Sequence, residues 1–244
     1  MTAADRVALV TGGSRGIGAA IARQMAGRGI RTAFTYREGA APAHALAAEF
    51  PDLLHPVPFV LGEQASAEEA VGATLARFGH LDTLISNAGV WKGGLLTRID
   101  MADWSDVLAT NVEGTAQLCR AALPALRDAP GDRSITLVSS VIAFEGGPGD
   151  TAYTAAKAAI VGFGRALARE AARDRIRVNT LAPGFVDTDM TRALPDGAAA
   201  RIAGDIVLGR PGRVDEIAAA AAYLGVDATY CTGSLLVVDG GWSL

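Results

Sequence analysis

The sequence predicts an α/β protein: a single doubly wound parallel sheet of seven strands with helices on both faces. Three observations predict it. Short apolar runs, as in Val7-Ala8-Leu9-Val10, are continuous rather than alternating, which suits strands buried on both faces. Such runs alternate with amphipathic helical patterns along all 244 residues. The first run passes directly into a glycine turn and then a helix with Ile21 and Met25 inward. No linker, repeat or second domain interrupts the pattern, so residues 1–244 read as one domain.

The elements follow in order. After Val7–Val10 comes Thr11-Gly12-Gly13-Ser14-Arg15-Gly16-Ile17-Gly18, with the spacing Gly12-x3-Gly16-x-Gly18. Strand, glycine turn and helix together make a phosphate cradle, because glycine lets the backbone approach an anion and a helix N-terminus offers free N–H groups. Glycine is frequent here, with 29 residues, so the triplet alone could mark only a turn. Its place at the first strand-to-helix junction predicts a Rossmann-like dinucleotide site.

The second strand, Thr32–Tyr36, ends in Tyr36-Arg37 with Glu38 next. An acidic residue there takes ribose hydroxyls, whereas arginine accommodates a 2′-phosphate. Arg37 and Arg15 can converge on such a phosphate, since guanidinium pairs with it through two parallel hydrogen bonds. NADP(H) is therefore expected over NAD(H), with Glu38 as the competing signal and solvated surface arginines as the plain alternative.

Residues 41–50 read as a helix, and Leu53–Leu61 as a third strand made irregular by Pro56 and Pro58. Ala67–Phe78 is helical, and Leu81–Ile85 is a fourth strand running into Ser86-Asn87-Ala88-Gly89, a small-residue turn where open α/β sheets place ligands. Asn87 could equally tie neighbouring strands together. Met101–Leu126 reads as one long helix, within which Asn111 is either a helix-distorting residue or a site residue. Ser134–Ser139 is the fifth strand and Arg175–Leu181 the sixth, broken by Pro183-Gly184. The weakly periodic stretch 185–212 is expected to be a substrate lid. A helix from Val214 to Leu224 and a strand from Ser234 to Val238 complete the chain before Asp239-Gly240-Gly241.

Between the fifth and sixth strands stands Tyr153-Thr154-Ala155-Ala156-Lys157. Ile160, Phe163 and Leu167 continue a helical pattern, and a spacing of four sets the phenol and the ammonium on one face. A tyrosine ionises near pH 10 unless a neighbouring cation favours its phenolate. From these five residues alone, an acid–base pair and an ordinary surface helix are both compatible.

Composition excludes several classes. The formal net charge is −4 with no compensating basic stripe, which argues against a nucleic-acid surface. Cys119 and Cys231 are far apart in apolar contexts, so neither a metal site nor a disulfide framework is expected. The apolar run at the start is too short for a signal segment, and the longest Ala-rich run, around 218–222, is far short of a membrane span. These features predict a soluble, cytoplasmic protein with no membrane or nucleic-acid partner.

Taken together, Thr11-Gly12-x3-Gly16-x-Gly18, Asn87-Ala88-Gly89, Asn111, Ser140, Tyr153-x3-Lys157, Pro183-Gly184 with Thr188, and Asp239-Gly240-Gly241 resemble the short-chain dehydrogenase/reductase superfamily over essentially the whole chain. Pro183–Met190 is most similar to bacterial 3-oxoacyl-ACP reductases and related ketoreductases. The resemblance implies that Tyr153 is a general acid or base and that Lys157 lowers its pKa and holds the nicotinamide ribose. Ser140 would donate to the substrate carbonyl, and Asn111 would fix a relay water. Asn87, Ala88, Gly89, Pro183, Gly184, Val186 and Thr188 would complete the cofactor site, with Val186 and Thr188 at the carboxamide.

It also implies a homotetramer acting on a small carbonyl substrate. Trp91, Phe144, Phe185 and Met190 are candidates for an apolar substrate pocket. Two departures stand out: Val60 occupies the place of an adenine-contacting Asp, and acids interleave with Arg127, Arg133, Arg173 and Arg175, which leaves docking to a carrier protein doubtful. A non-catalytic dinucleotide-binding sensor is the reading of another class, and it would not require the Asn-Ser-Tyr-Lys set.

Overall fold

The computed structural model describes residues 5–192 and 197–244. Seven strands form one parallel sheet: β1 (Val7–Val10), β2 (Arg31–Tyr36), β3 (Leu54–Pro58), β4 (Thr83–Ser86), β5 (Arg133–Val138), β6 (Ile176–Pro183) and β7 (Leu235–Val238). Their spatial order is β3-β2-β1-β4-β5-β6-β7. The direction of winding reverses between β1 and β4, and open α/β sheets bind ligands in the crevice at such a reversal. Every pairing is parallel, and the central strands β1 and β4 are buried throughout, which is why they read as unbroken apolar runs.

Helices cover both faces. Apolar residues of α1 (Gly16–Gly27), α2 (Ala40–Glu49) and α10 (Val214–Ala222) pack on one side in a core that includes Ile21, Met25, Phe34 and Ile217. On the other side α3 (Gln64–Phe78), α5 (Gly114–Asp128) and α7 (Thr151–Ala171) enclose Leu9, Leu84, Leu118, Ile135 and Ile160. Among the described residues no helix is long and apolar enough to cross a membrane.

Four expected boundaries change, each for a local reason. The third strand is shorter than Leu53–Leu61, and its Pro56 and Pro58 are tolerated because β3 is an edge strand with one partner. The expected helix Met101–Leu126 is instead α4 (Met101–Leu108), one π-helical turn (Ala109–Glu113) and α5. At that turn the Asn111 amide donates to Val107 O, one turn back, at 2.9 Å. Strand β6 does not break before Pro183, because Pro183 pairs in register with Val238 and the chain turns only at Gly184. The C-terminal helix likewise ends at Ala222 and passes into a second π-helical turn, Tyr223–Asp227.

Within the stretch 185–212, α8 (Asp189–Arg192) and α9 (Ala198–Asp205) form, while residues 193–196 lie outside the described residues.

Candidate active site

The carboxyl-terminal ends of β1, β4, β5 and β6 converge on one crevice, and the glycine turn forms one wall of it. Gly12 and Gly16 have φ of +66° and +54°, which disfavours any residue with a side chain. At Gly18 a Cβ would lie 2.0 Å from Gly12 O, so only glycine lets the helix start this close to the strand end. Helix α1 has no side-chain cap and no acid in its first turn, which leaves its N–H groups and positive dipole end open to an anion. Beside it a cleft of about 420 Å³ is lined by Ser14, Arg15, Gly16, Pro42, Leu46 and Thr188, among others. These features fit the pyrophosphate of a dinucleotide.

Asn87 holds the crevice together. Its amide donates to Thr11 O at 3.0 Å and Gly12 O at 3.4 Å, and its backbone N–H, like that of Ala88, donates to Thr11 Oγ1. Thr35 Oγ1 accepts from Gly12 N at 3.1 Å. The turn is thus fixed from both neighbouring strands. Thr11 and Thr35 were not singled out from sequence, although a polar residue at the end of an otherwise apolar strand is a readable signal.

Tyr36 packs edge-on against His44, and Arg37 pairs with Glu38 at 2.9 Å while remaining mostly exposed. Arg15 is exposed at the mouth of the cleft. On the far side Pro183-Gly184 and Asp239-Gly240-Gly241 meet: a Cβ on Gly184 would come within 2.5 Å of Asp239 Cβ, and Gly184 N donates to Val238 O. Thr191 Oγ1 donates to Val186 O at 2.7 Å and accepts from Thr188 N at 2.9 Å, so it fixes the segment carrying Val186 and Thr188. The Thr188-x2-Thr191 spacing at a helix start is the overlooked signal.

Asn111 is 2% exposed and its amide is well satisfied: Nδ2 donates to Val90 O and Val107 O, and Oδ1 accepts from Val90 N. A Cβ on Gly89 would lie 2.6 Å from Asn111 Oδ1 and 3.5 Å from Lys157 Nζ, so this glycine lets Asn111 and Lys157 face each other across the strand end. Ser139 and Ser140 separate clearly. The buried Ser139 hydroxyl donates to Lys157 O and ties β5 to α7, whereas the half-buried Ser140 hydroxyl accepts from Ile142 N at 3.3 Å and has no other partner among the described residues.

Lys157 lies buried with Nζ donating to Val138 O at 2.9 Å and 5.5 Å from the centre of the Tyr153 ring. Burial pulls its ammonium down to about 8. Tyr153, half-buried among Val107, Ala152 and Ala156, is pushed up to about 12 by burial and then by the Asp150 carboxylate. The Lys157 ammonium donates to a strand carbonyl, with the Tyr153 ring beside it.

Of the candidate substrate-pocket residues, Trp91 and Phe144 are exposed near this mouth. Phe185 is buried against Trp242 as packing, and the side chain of Met190 lies outside the described residues.

Residues 12–243 match the family described as Enoyl-(Acyl carrier protein) reductase. The 3-oxoacyl-(acyl-carrier-protein) reductase FabG of Escherichia coli is 41% identical over 240 residues, covering 97% of this chain and 96% of that protein. This chain belongs to the short-chain dehydrogenase/reductase superfamily. The FabG of Chlamydia trachomatis is 38% identical over 243 residues, 97% of each chain. Among solved members of the superfamily, a dehydrogenase/reductase from Sinorhizobium meliloti superposes with a TM-score of 0.91 at 34% identity, covering 98% of this chain and 95% of that one. A short chain dehydrogenase from Burkholderia cenocepacia in complex with NADP gives 0.91 at 33%, covering 98% of both. The seven-stranded sheet and its winding are therefore those of a short-chain dehydrogenase/reductase.

Proposed function

We propose that the protein is an NADPH-dependent ketoreductase whose substrates are 3-oxoacyl thioesters or closely related 3-oxo esters. The carrying observation is geometric: Lys157 Nζ lies 5.5 Å from the Tyr153 ring and faces Asn111 across Gly89, with the half-buried Ser140 hydroxyl at the end of the neighbouring strand β5, beside the glycine turn. NADPH, when bound, supplies the hydride that reduces the carbonyl carbon. Ser140 donates a hydrogen bond to the carbonyl oxygen and stabilises the charge that develops there. Tyr153 donates its proton to the same oxygen, and the product is the secondary alcohol. Lys157 and Asn111, on either side of Gly89, return a proton towards Tyr153. Gly12, Ser14, Gly16, Ile17 and Gly18 would hold the pyrophosphate, Arg15 and Arg37 the 2′-phosphate, and Asn87, Pro183, Gly184, Val186 and Thr188 the remainder of the cofactor.

Relatives named as 3-oxoacyl reductases favour a carbonyl substrate, while the family description favours an enoyl one. NADPH oxidation measured with acetoacetyl and crotonyl thioesters decides between them: activity confined to the crotonyl compound overturns the ketoreductase reading. Arg127 and Arg173 both lie against Asp174, which reduces the positive field an acidic carrier protein would meet, so free uncharged esters fit better than carrier-bound ones. Exposed Val237 on edge strand β7, together with Tyr230 and Leu244, supports a homotetramer built partly on that edge, and sedimentation velocity tests it.

A further inference from the structure

The loops following β4 and β5 meet beside Tyr153. Gly94 N donates to Gly149 O at 2.8 Å, and the Trp91 indole N–H donates to Asp150 Oδ1 at 2.7 Å. The ring of Trp91 covers Gly93, where a Cβ would fall 2.4 Å from it, and the preceding Val90 is gripped at both its N–H and its C=O by Asn111. Just beyond, the Trp104 indole reaches Thr151 Oγ1 at 3.2 Å.

Asp150 occupies the N-cap of α7, where an aspartate ordinarily accepts a hydrogen bond from the second or third helical N–H. Here it forms no cap bond, and its carboxylate turns to the indole across the gap between the loops. The same negative charge reaches Tyr153, three residues on, and opposes ionisation of its phenol.

We propose that Asp150 is a positioning and specificity residue, which staples the two loops through Trp91 and sets a negative charge at the substrate mouth that selects neutral 3-oxo esters and thioesters over free 3-oxo acids. Asp150 stands three residues before Tyr153 and its charge acts on the phenol, so a carboxylate one or two carbons from a carbonyl bound there lies within range of a like charge, and the two repel in a partly desolvated mouth. An ester or thioester at that place carries no charge. The inference rests on Tyr153 acting as the acid at a carbonyl.

Ethyl acetoacetate and the acetoacetate ion differ in that one group. The ratio of their kcat/KM values, measured with saturating NADPH, therefore reads the selection. Asp150→Asn keeps an acceptor for the indole and removes the charge, and it is expected to lower the ester-to-ion ratio about tenfold, through the KM of the ion. Asp150→Glu is expected to recover selection. A ratio unchanged in Asp150→Asn overturns the proposal, as does failure of both proteins to reduce the ion while both reduce the ester.

The indole ¹H–¹⁵N resonance of Trp91, assigned with Trp91→Phe, provides a readout without turnover. It is expected to exchange slowly in the wild type and rapidly in Asp150→Ala, and rapid exchange in both overturns the staple. Reduction of neither substrate by the wild type, with a protected indole, condemns the ketoreductase reading and leaves the staple standing.

Discussion

At the amino-terminal ends of the strands, the buried Arg177 donates to Asp132, to Leu224 O at 2.7 Å and to Gly225 O at 3.1 Å, and Arg6 reaches the same carboxylate. Asp82, fully buried beside them, accepts from Val7 N and lies 3.0 Å from His80 Nε2. At the carboxyl-terminal ends Lys157 is just as buried, yet its ammonium meets a single carbonyl, and the neighbouring ionisable group is a phenol. One end surrounds the Arg177 guanidinium with a carboxylate and carbonyls, although burial there also holds Asp82 above its usual range. The other leaves a charge undercompensated, and the lowered lysine and raised tyrosine record that difference. Pairing holds the Arg177 end of the sheet, while at the other end poor solvation supports the proton transfer proposed for Tyr153 and Lys157.

The sharpest way to test the contrast is to remove the proton donor. Tyr153→Phe takes away one hydroxyl and leaves the ring and its packing against Val107, Ala152 and Ala156 in place. Reduction should fall about a thousandfold, while NADPH binding by fluorescence and the melting temperature stay close to wild type. Activity within tenfold of wild type would mean that another group delivers the proton.

At the opposite end the consequences exchange places. Asp132→Ala leaves Arg6 and Arg177 without their shared carboxylate, and should lower unfolding stability by about 3 kcal/mol, read from urea denaturation, with kcat nearly unchanged. A large loss of kcat at full stability would show that the two ends are coupled rather than separate.

Lys157→Met should separate function from stability. The folded-state pKa is lowered from 10.5 to about 8, so the wild-type fold bears the full penalty of the buried ammonium below pH 8. As pH rises from about 8 to about 10.5 the unfolded chain binds more protons than the folded one, and stability rises. The variant should lose turnover, gain about 2 kcal/mol at neutral pH and lose this rise in its difference from wild type. A destabilised variant would mean that the hydrogen bond to Val138 O outweighs desolvation.

Much of this was legible in the residues. The parallel sheet follows from apolar runs that alternate with helical patterns, and the glycine turn from its place at the first strand-to-helix junction, whereas the spatial order of the strands is a finding of the structure. Lys157 and Tyr153 were readable because a four-residue helical spacing is local. The π-helical turn was not, since it depends on Asn111 finding Val90, 21 residues away, on another element. The Asp150–Trp91 bond was hidden for the same reason: an N-cap aspartate predicts a local bond, and only the meeting of two loops diverts it. Helical spacing conveys that Lys157 and Tyr153 are neighbours, but not that the ammonium donates to Val138 O, which belongs to another element.

The smallest expected effect concerns exposed charge, where neither full pairing nor desolvation operates. Arg37 already spends its guanidinium on Glu38 at 2.9 Å, whereas Arg15 stands at the mouth of the cleft beside the open N-terminus of α1. Arg15 should therefore carry more of the preference for a 2′-phosphate than Arg37. Arg15→Ala is expected to raise the KM for NADPH about tenfold with little change for NADH, and Arg37→Ala to raise it about threefold. Glu38→Gln, by releasing Arg37, should shift the ratio of KM values slightly towards NADPH. If Arg37→Ala proves the more damaging, the Glu38 pair gives way to the phosphate, and solvent-exposed pairing constrains this end of the sheet less than the buried carboxylates constrain the other.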